Sequence, residues 1–499
     1  MHEQLSHNLP ANNSRNNLPT NITNNRITTF FKNKGLSSKL GRKARQCNFV
    51  KRESSFKPMS FAQSIIASTG RNSSQVSLAK LCENYNVNYD GKMQDKPFWN
   101  RLSSDGCVEF FQNILNEIQE LHNKIAKKCP YREGAKLIQA LNEMGLPIDD
   151  ILLCDGTYWK LKSELAEEYP GTRSNTQKQV MEGVIDENGK PCYVEVEDAG
   201  IGLQSRMSLK TGAINSIAIT PETANEKSYV VVPNKDGAKA LILMDSGYYN
   251  LKLLEKIDTN GSYYITKGRK NCAAVISECR TWGTYRKIDP KAEEYNGMKI
   301  SDALIKLRNN KQNIDFKATY KTGQTVRMVA FYTKEKDDMV LLITNIDERI
   351  LPAKLITDTY RIRWQIELAF KNLKSGNSLK FSNRTANKNI LLVLILASFC
   401  AYFLKNITAN FLSQQLENIS LWKIQVGASW FEKFTKAFFK GNIEKMHEIL
   451  KTLKDRSTFV TKSRQSARKH AEGRTFASVL NNIVQSIVAP ITIDDLLVC

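Results

Sequence analysis

The chain has 499 residues, 41% of them hydrophobic, which accommodates roughly two to four domains with at least one sizeable core. Its 72 Lys and Arg against 50 Asp and Glu leave a formal charge of +22, an excess that points to a polyanionic partner, nucleic acid or an acidic membrane face. The N-terminus has no apolar signal-peptide core, and the ten cysteines are scattered without a CxxC pair or zinc-ligand spacing, as expected of unpaired thiols in a reducing cytoplasm.

Residues 1–60 are rich in Asn, Ser, Lys and Arg and read as a poorly ordered basic arm. Between 31 and 60 it carries Lys32, Lys34, Lys39, Arg42, Lys43, Arg45, Lys51, Arg52 and Lys57 against one acid, Glu53. A solvated tail and a segment that tracks phosphates both fit that pattern, and the whole-chain charge favours the second. From 61 to 146 the periodicity is helical: SLAKLCENYNV (77–87) repeats apolar residues at helical spacing, and Phe110, Phe111, Ile114, Leu115, Ile118 and Leu121 line one face of a longer helix. Short helices in a basic region of this kind can bind DNA. A helix-turn-helix and a plain helical domain are equally compatible with it.

After Pro147 the texture changes. ILLC (151–154) and ALILM (240–244) are short, wholly apolar runs of the kind buried on both faces of a sheet. QVMEGVI and CYVEVED flank Asn188-Gly189, a hairpin signal. Further strand-like runs, TVRMVAFYTK and MVLLITN among them, lie between Tyr263 and Asn345, and the chain turns helical from about Pro352. The run ILLVLILASFCAYFL (390–404) is shorter than the about 20 residues of a comfortable membrane span. It reads as a buried core helix, which leaves nucleic acid as the expected partner. The order of elements predicts an α/β core with an insertion and helical ends.

Two stretches match closely. In ILLCDGTYW (151–159) and LILMDSGYY (241–249) an apolar run ends in Asp, small or hydroxyl residues follow, and then two aromatics. A buried strand that ends in a carboxylate holds it rigidly at the sheet edge, and a turn of small residues leaves room beside it for a metal or a phosphate. An Asp that merely caps a turn is the plainer reading for either alone; the repetition counts against it.

TYRIRWQIELAFKNLKS (359–375) supplies the other half of a site. On one continuous helix, at about 100° per residue, Tyr360, Arg363, Glu367, Lys371 and Lys374 share a stripe roughly 80° wide. Ile362, Ile366, Ala369, Phe370 and Leu373 form a separate arc that packs inward. A solvated face with Arg363–Glu367 and Glu367–Lys371 pairs, each worth about 0.2–0.5 kcal/mol, would look the same. The upstream aspartates favour a site, because two-metal phosphoryl chemistry needs several carboxylates around ions about 3.5–4 Å apart, with basic groups to hold phosphate oxygens.

The spacing Tyr360-x2-Arg363-x3-Glu367-x6-Lys374 resembles the YREK signature of bacterial DDE transposases of the insertion sequence 4 group. The resemblance spans about 77–405 and is strongest in the signature helix and the preceding LLITNI. It implies an RNase H-like core interrupted by a β-rich insertion, with core segments at 147–249 and 347–410, the insertion at 250–346, and a helical, possible dimerisation region at 411–499. It further implies that Asp155, Asp245 and Glu367 are catalytic metal ligands for Mg2+ or Mn2+, two ions in all. Tyr360, Arg363 and Lys374 would position phosphates of the transposon end, with Lys371 assisting. The implied partners are double-stranded DNA, as terminal inverted repeats and target, and a second subunit in a homodimeric synaptic complex. The implied activity is cleavage of the ends and joining of 3′ ends to target DNA by a cytoplasmic, nucleoid-associated enzyme.

Other chemistries fit less well. None of the five histidines (His2, His7, His122, His447, His470) lies near these motifs, and no tyrosine follows Tyr402 to serve as a late recombinase nucleophile. A nuclease without strand transfer and an inactive DNA-binding descendant remain as rivals; three carboxylates in a basic chain argue against the second. Trp282, set among Arg280, Tyr285, Arg286 and Lys287, either stacks on an unpaired base near the cut end or covers the insertion's own core.

Overall fold

The computed structural model describes residues 36–455 apart from 53–55, 72–76, 173–177, 186, 188, 190, 196–197, 231, 282–292, 417–418 and 427–428. Six helices come first: α1 (Leu36–Gln46), α2 (Pro58–Thr69), α3 (Leu78–Asn88), α4 (Asp95–Leu102), α5 (Asp105–Lys128) and α6 (Arg132–Glu143). The α5 start is fixed by Ser104, whose hydroxyl accepts from the Cys107 amide at 3.3 Å, with Asp105 in the first turn and Lys127 and Lys128 in the last, a charge order that suits the helix dipole. Its apolar stripe of Phe110, Phe111, Ile114, Leu115 and Ile118 is buried.

Part of the expected arm is ordered. In α1, Leu40 and Ala44 are fully buried at i,i+4 spacing, and Lys39 pairs with Glu117 of α5 at 2.8 Å. Its dense positive charge masks in the sequence how few apolar residues suffice to dock a short helix when Phe49 stacks on Phe110 beside it, ring centroids 5.2 Å apart.

The sheet follows: β1 (Asp150–Lys160), the hairpin β2 (Lys178–Ile185) and β3 (Pro191–Glu195), β4 (Gly200–Ser208), β5 (Ala213–Pro221), β6 (Ala240–Met244), α7 (Leu251–Thr259), β7 (Tyr263–Lys267), β8 (Ala274–Thr281), α8 (Ile300–Asn310), β9 (Ile314–Tyr320), β10 (Thr325–Thr333) and β11 (Asp338–Thr344). Nine strands form one sheet in the order β5-β4-β1-β6-β7-β11-β10-β9-β8, with β2 and β3 paired separately. β1 runs parallel to β6 and antiparallel to β4; β7 is parallel to β6. The five strands β5-β4-β1-β6-β7 thus make an RNase H-like core, and β11 pairs antiparallel to β7 to carry the sheet onward.

The apolar runs are buried on both faces. Ile151 and Leu153 of β1, with Leu241 and Leu243 of β6, enter the core shared with the helices; Leu152, Cys154, Ile242 and Met244 enter a second core under α7 and α8. This explains the absence of alternation in ILLC and ALILM. Buried Arg327 of β10 forks onto Asp315 of β9 at 3.0 and 2.6 Å and donates to the carbonyls of Ile346 and Leu351 at 2.9 and 2.8 Å. The last strands are thereby locked to the segment that launches the next helices.

Those are α9 (Ala353–Arg361), α10 (Trp364–Lys371), α11 (Lys388–Ser413), α12 (Leu421–Val426), α13 (Ser429–Lys440) and α14 (Ile443–Asp455). The single continuous helix expected over 359–375 is broken in two places. Ile362, Arg363, Gln365 and Ile366 each donate to the carbonyl three residues back, a tight turn between α9 and α10, and Asn372–Gly376 is a π turn. Local periodicity cannot register either change of pitch. The inward arc survives, with Ile362, Ile366, Ala369, Phe370 and Leu373 all buried. α11 is long and apolar enough to cross a membrane, yet 94% of its apolar window is buried inside the protein, packed against α5 and α2.

Candidate active site

Asp155 lies within β1 and Asp245 directly follows β6, so the parallel pairing of the two strands brings the carboxylates to one edge of the sheet. Glu367 reaches the same edge from α10. Asp155, Asp245, Glu367, Arg363, Lys371, Lys374 and Lys380 line one open cleft of ≈ 480 Å³.

Arg363 organises its wall. Its Nη1 donates to Asp155 Oδ2 at 2.7 Å and its Nη2 to Glu367 Oε1 at 2.6 Å. Burial opposes its charge, but Tyr360, Asp155, Asp245 and Glu367 around it outweigh that cost and raise its pKa. Burial likewise pushes the Asp155 carboxyl up to about 6, against the pull of Arg363 and of the Gly156 amide, which donates to Oδ1 at 2.9 Å. Tyr360 donates to Asp245 Oδ1 at 3.4 Å, and its hydroxyl is raised chiefly by burial. Lys374 donates to the Tyr158 carbonyl at 3.1 Å; burial, then the nearby Lys380, lowers its pKa.

The structure therefore brings Asp155, Asp245, Glu367, Tyr360, Arg363, Lys371 and Lys374 together. Lys371 is exposed at the rim. Trp282 lies outside the described residues. Sequence reasoning missed Lys380. Lys380 sits on the short helical turn Leu379–Arg384 beyond the π turn, out of register with the stripe and without a local signal.

No three His, Cys, Asp or Glu among the described residues converge as a ready-made ion cage. The donor chemistry still fits a hard divalent cation: Asp155, Asp245 and Glu367 offer carboxylate oxygens to one cleft, and the positive charge between two of them is supplied by Arg363.

The strand order and an acidic cluster carried by two parallel strands, Asp155 within β1 and Asp245 just after β6, place the chain in the RNase H-like class. Within that class, residues 147–404 match the family described as Transposase DDE domain, and the chain belongs to that family. It is 26% identical over 365 residues to the transposase for insertion sequence element IS231B of Bacillus thuringiensis subsp. berliner, covering 66% of this chain and 69% of that protein. It is 20% identical over 404 residues to the transposase for IS1151 of Clostridium perfringens, 70% and 78% of the two chains. A short segment of 49 residues is 51% identical to a putative transposase InsL for IS186A of Escherichia coli strain K12, 10% of this chain and 13% of that one.

Proposed function

We propose that this chain is the DNA transposase of an insertion-sequence element of the insertion sequence 4 group, which binds the element's ends as a dimer, cuts them and joins their 3′ ends to target DNA. The observation that carries the reading is the meeting of Asp155, Asp245 and Glu367 in one cleft with Arg363, Lys371, Lys374 and Lys380. A cleft with this mixture suits a phosphodiester, whose oxygens need cationic partners while its phosphorus is attacked.

Asp155, Asp245 and Glu367 would hold the divalent metal ions. Bound there, such ions activate the attacking water or 3′-hydroxyl and stabilise charge on the leaving oxygen. The protein's own part is separate. Lys371, Lys374 and Lys380 bind and orient the backbone phosphates of the end. Arg363 bridges the Asp155 and Glu367 carboxylates and would offer its guanidinium to the scissile phosphate. Tyr360 fixes Asp245.

Incubation of the full chain with its flanking DNA ends and Mg2+ or Mn2+, resolving cut and joined products on a gel, tests the reading. Cut and joined products that require the metal support transposition. Cleavage without joined product indicates a nuclease, and binding without cleavage an inactive descendant.

A further inference from the structure

The two aspartate strands share a feature that metal binding alone does not use. Each continues through two small residues to a tyrosine: Asp155-Gly156-Thr157-Tyr158 and Asp245-Ser246-Gly247-Tyr248. The two hydroxyls meet on one side chain of a third strand, Gln204 of β4. Gln204 Nε2 donates to Tyr158 Oη at 2.7 Å, and Gln204 Oε1 accepts from Tyr248 Oη at 3.1 Å. Tyr158 in turn donates to Oε1 of Glu226.

The direction of this chain is set at its end. An ionised carboxylate only accepts, so Tyr158 must spend its proton on Glu226 and receive the Gln204 amide on its lone pair. That orients the amide and leaves its oxygen for Tyr248. Gln204 and Tyr248 are buried, at 3% and 2% exposure, where an unmade hydrogen bond is costly.

The glycines carry the argument further. A Cβ on Gly156 would stand 2.7 Å from Gln204 Oε1, and one on Gly247 would collide with Oε2 of Glu226. The small residue behind each aspartate is thus occupied space: it admits the side chains that join the two strand ends. Glu226 itself lines a separate cleft of ≈ 410 Å³ with Tyr158, Glu222 and Gly247, to which Asp155, Asp245 and Glu367 do not contribute.

We propose that Tyr158, Gln204, Tyr248 and Glu226 form a polar brace that sets the separation of Asp155 and Asp245 and thereby tunes how tightly the site binds divalent cations. The proposal rests on the reading of those aspartates as metal ligands. The four are positioning residues, and Glu226 acts as an acceptor for Tyr158 rather than as a ligand. Groups that orient metal ligands typically contribute about 10–100-fold to affinity.

The test is Mn2+ binding to the full-length protein by calorimetry, alongside its melting curve and metal-free binding of end DNA. Tyr248→Phe and Glu226→Ala are expected to weaken Mn2+ binding about tenfold while leaving metal-free DNA binding intact. Glu226→Gln, which keeps an acceptor oxygen for Tyr158, is expected to restore near wild-type affinity. Should Tyr248→Phe fail to fold, Tyr158→Phe, at a half-buried site, carries the same measurement. Unchanged Mn2+ affinity in the tyrosine variants, with affinity lost in Asp245→Asn, overturns the brace. Equal loss in Glu226→Gln and Glu226→Ala makes Glu226 a ligand and overturns its positioning role. Wild-type affinity in Asp245→Asn removes the metal-site reading beneath the proposal.

Discussion

Arg363 and Asp155 stand 208 residues apart in the chain and are joined by a charge-assisted hydrogen bond of 2.7 Å. The other end of the same guanidinium holds Glu367 at 2.6 Å, so one side chain couples the first core strand to α10. A lysine is a point charge on a flexible stem and cannot reproduce a bidentate fork. Arg363→Lys is therefore expected to destabilise the metal-free protein by on the order of 2 kcal/mol. Part of that loss should return with Mn2+, because a bound cation supplies the missing charge between the carboxylates. Denaturant unfolding with and without Mn2+ measures both. Equal metal-free stability of wild type and variant would show that the bridge does not hold the site together.

Asp155→Ala, Asp245→Ala and Glu367→Ala are each expected to abolish metal-dependent cleavage while end binding persists, since phosphate contacts dominate affinity and carboxylates repel DNA. Gel-shift and cleavage assays on the same protein separate the two. Near wild-type cutting by the Glu367 variant would remove Glu367 from the catalytic set.

Which parts of this arrangement could be read from the sequence follows from how local each signal is. Asp155 and Asp245 stood out because the sheet buries both faces of β1 and β6, which writes an uninterrupted apolar run directly before each carboxylate. β4 left no such trace: Gln204 and Ser205 are buried along with their apolar neighbours, so neither alternation nor an apolar run marks the strand. The role of Gln204 then depends on pairing across strands, as does that of Glu226 from a distant turn. The stripe on 359–375 correctly gathered Arg363 and Glu367, but the tight turn at Ile362 and Arg363 and the π turn after Lys371 are decided by packing. Lys380 reaches the cleft from the segment beyond that second turn.

The cleft lysines differ in surroundings, and the difference is measurable. Lys371 is exposed at the rim, whereas Lys374 is half-buried against the Tyr158 carbonyl and sits 6.0 Å from the Trp159 ring centroid. Removing one cation that neutralises a phosphate of B-form DNA lowers the slope of log affinity against log salt by about 0.9. Lys371→Ala and Lys380→Ala should each lower the slope by about that amount. Lys374→Ala should do so as well and also loosen the β1 end, which appears as a lower melting temperature. Unchanged salt slopes in all three variants would assign these lysines to a solvated face.

Lys405 offers a test of how the helical region is tied to the π turn that follows α10. It is fully buried in α11, and its ammonium donates to the carbonyls of Gly70 after α2, at 2.7 Å, and of Gly376 in the π turn, at 3.2 Å, and to that of Gln425 in α12. The Phe431 ring of α13 faces it at 4.9 Å. Burial pushes its pKa down to about 7, against about 10.4 in an unfolded chain. Between these values the unfolded chain binds the proton and the folded chain releases it, so stability contributed by this group rises with pH from about 7 upward. The slope cannot exceed about 1.4 kcal/mol per pH unit. Lys405→Met keeps the stem but removes the titrating group and, at pH 9, the two N–H donors of the neutral amine, at an expected cost of about 1–3 kcal/mol. The stability difference between wild type and variant should therefore widen as pH is raised from 7 to 9 in denaturant unfolding. Parallel stability curves over that range would show that Lys405 keeps its proton in both states and contributes through its hydrogen bonds alone.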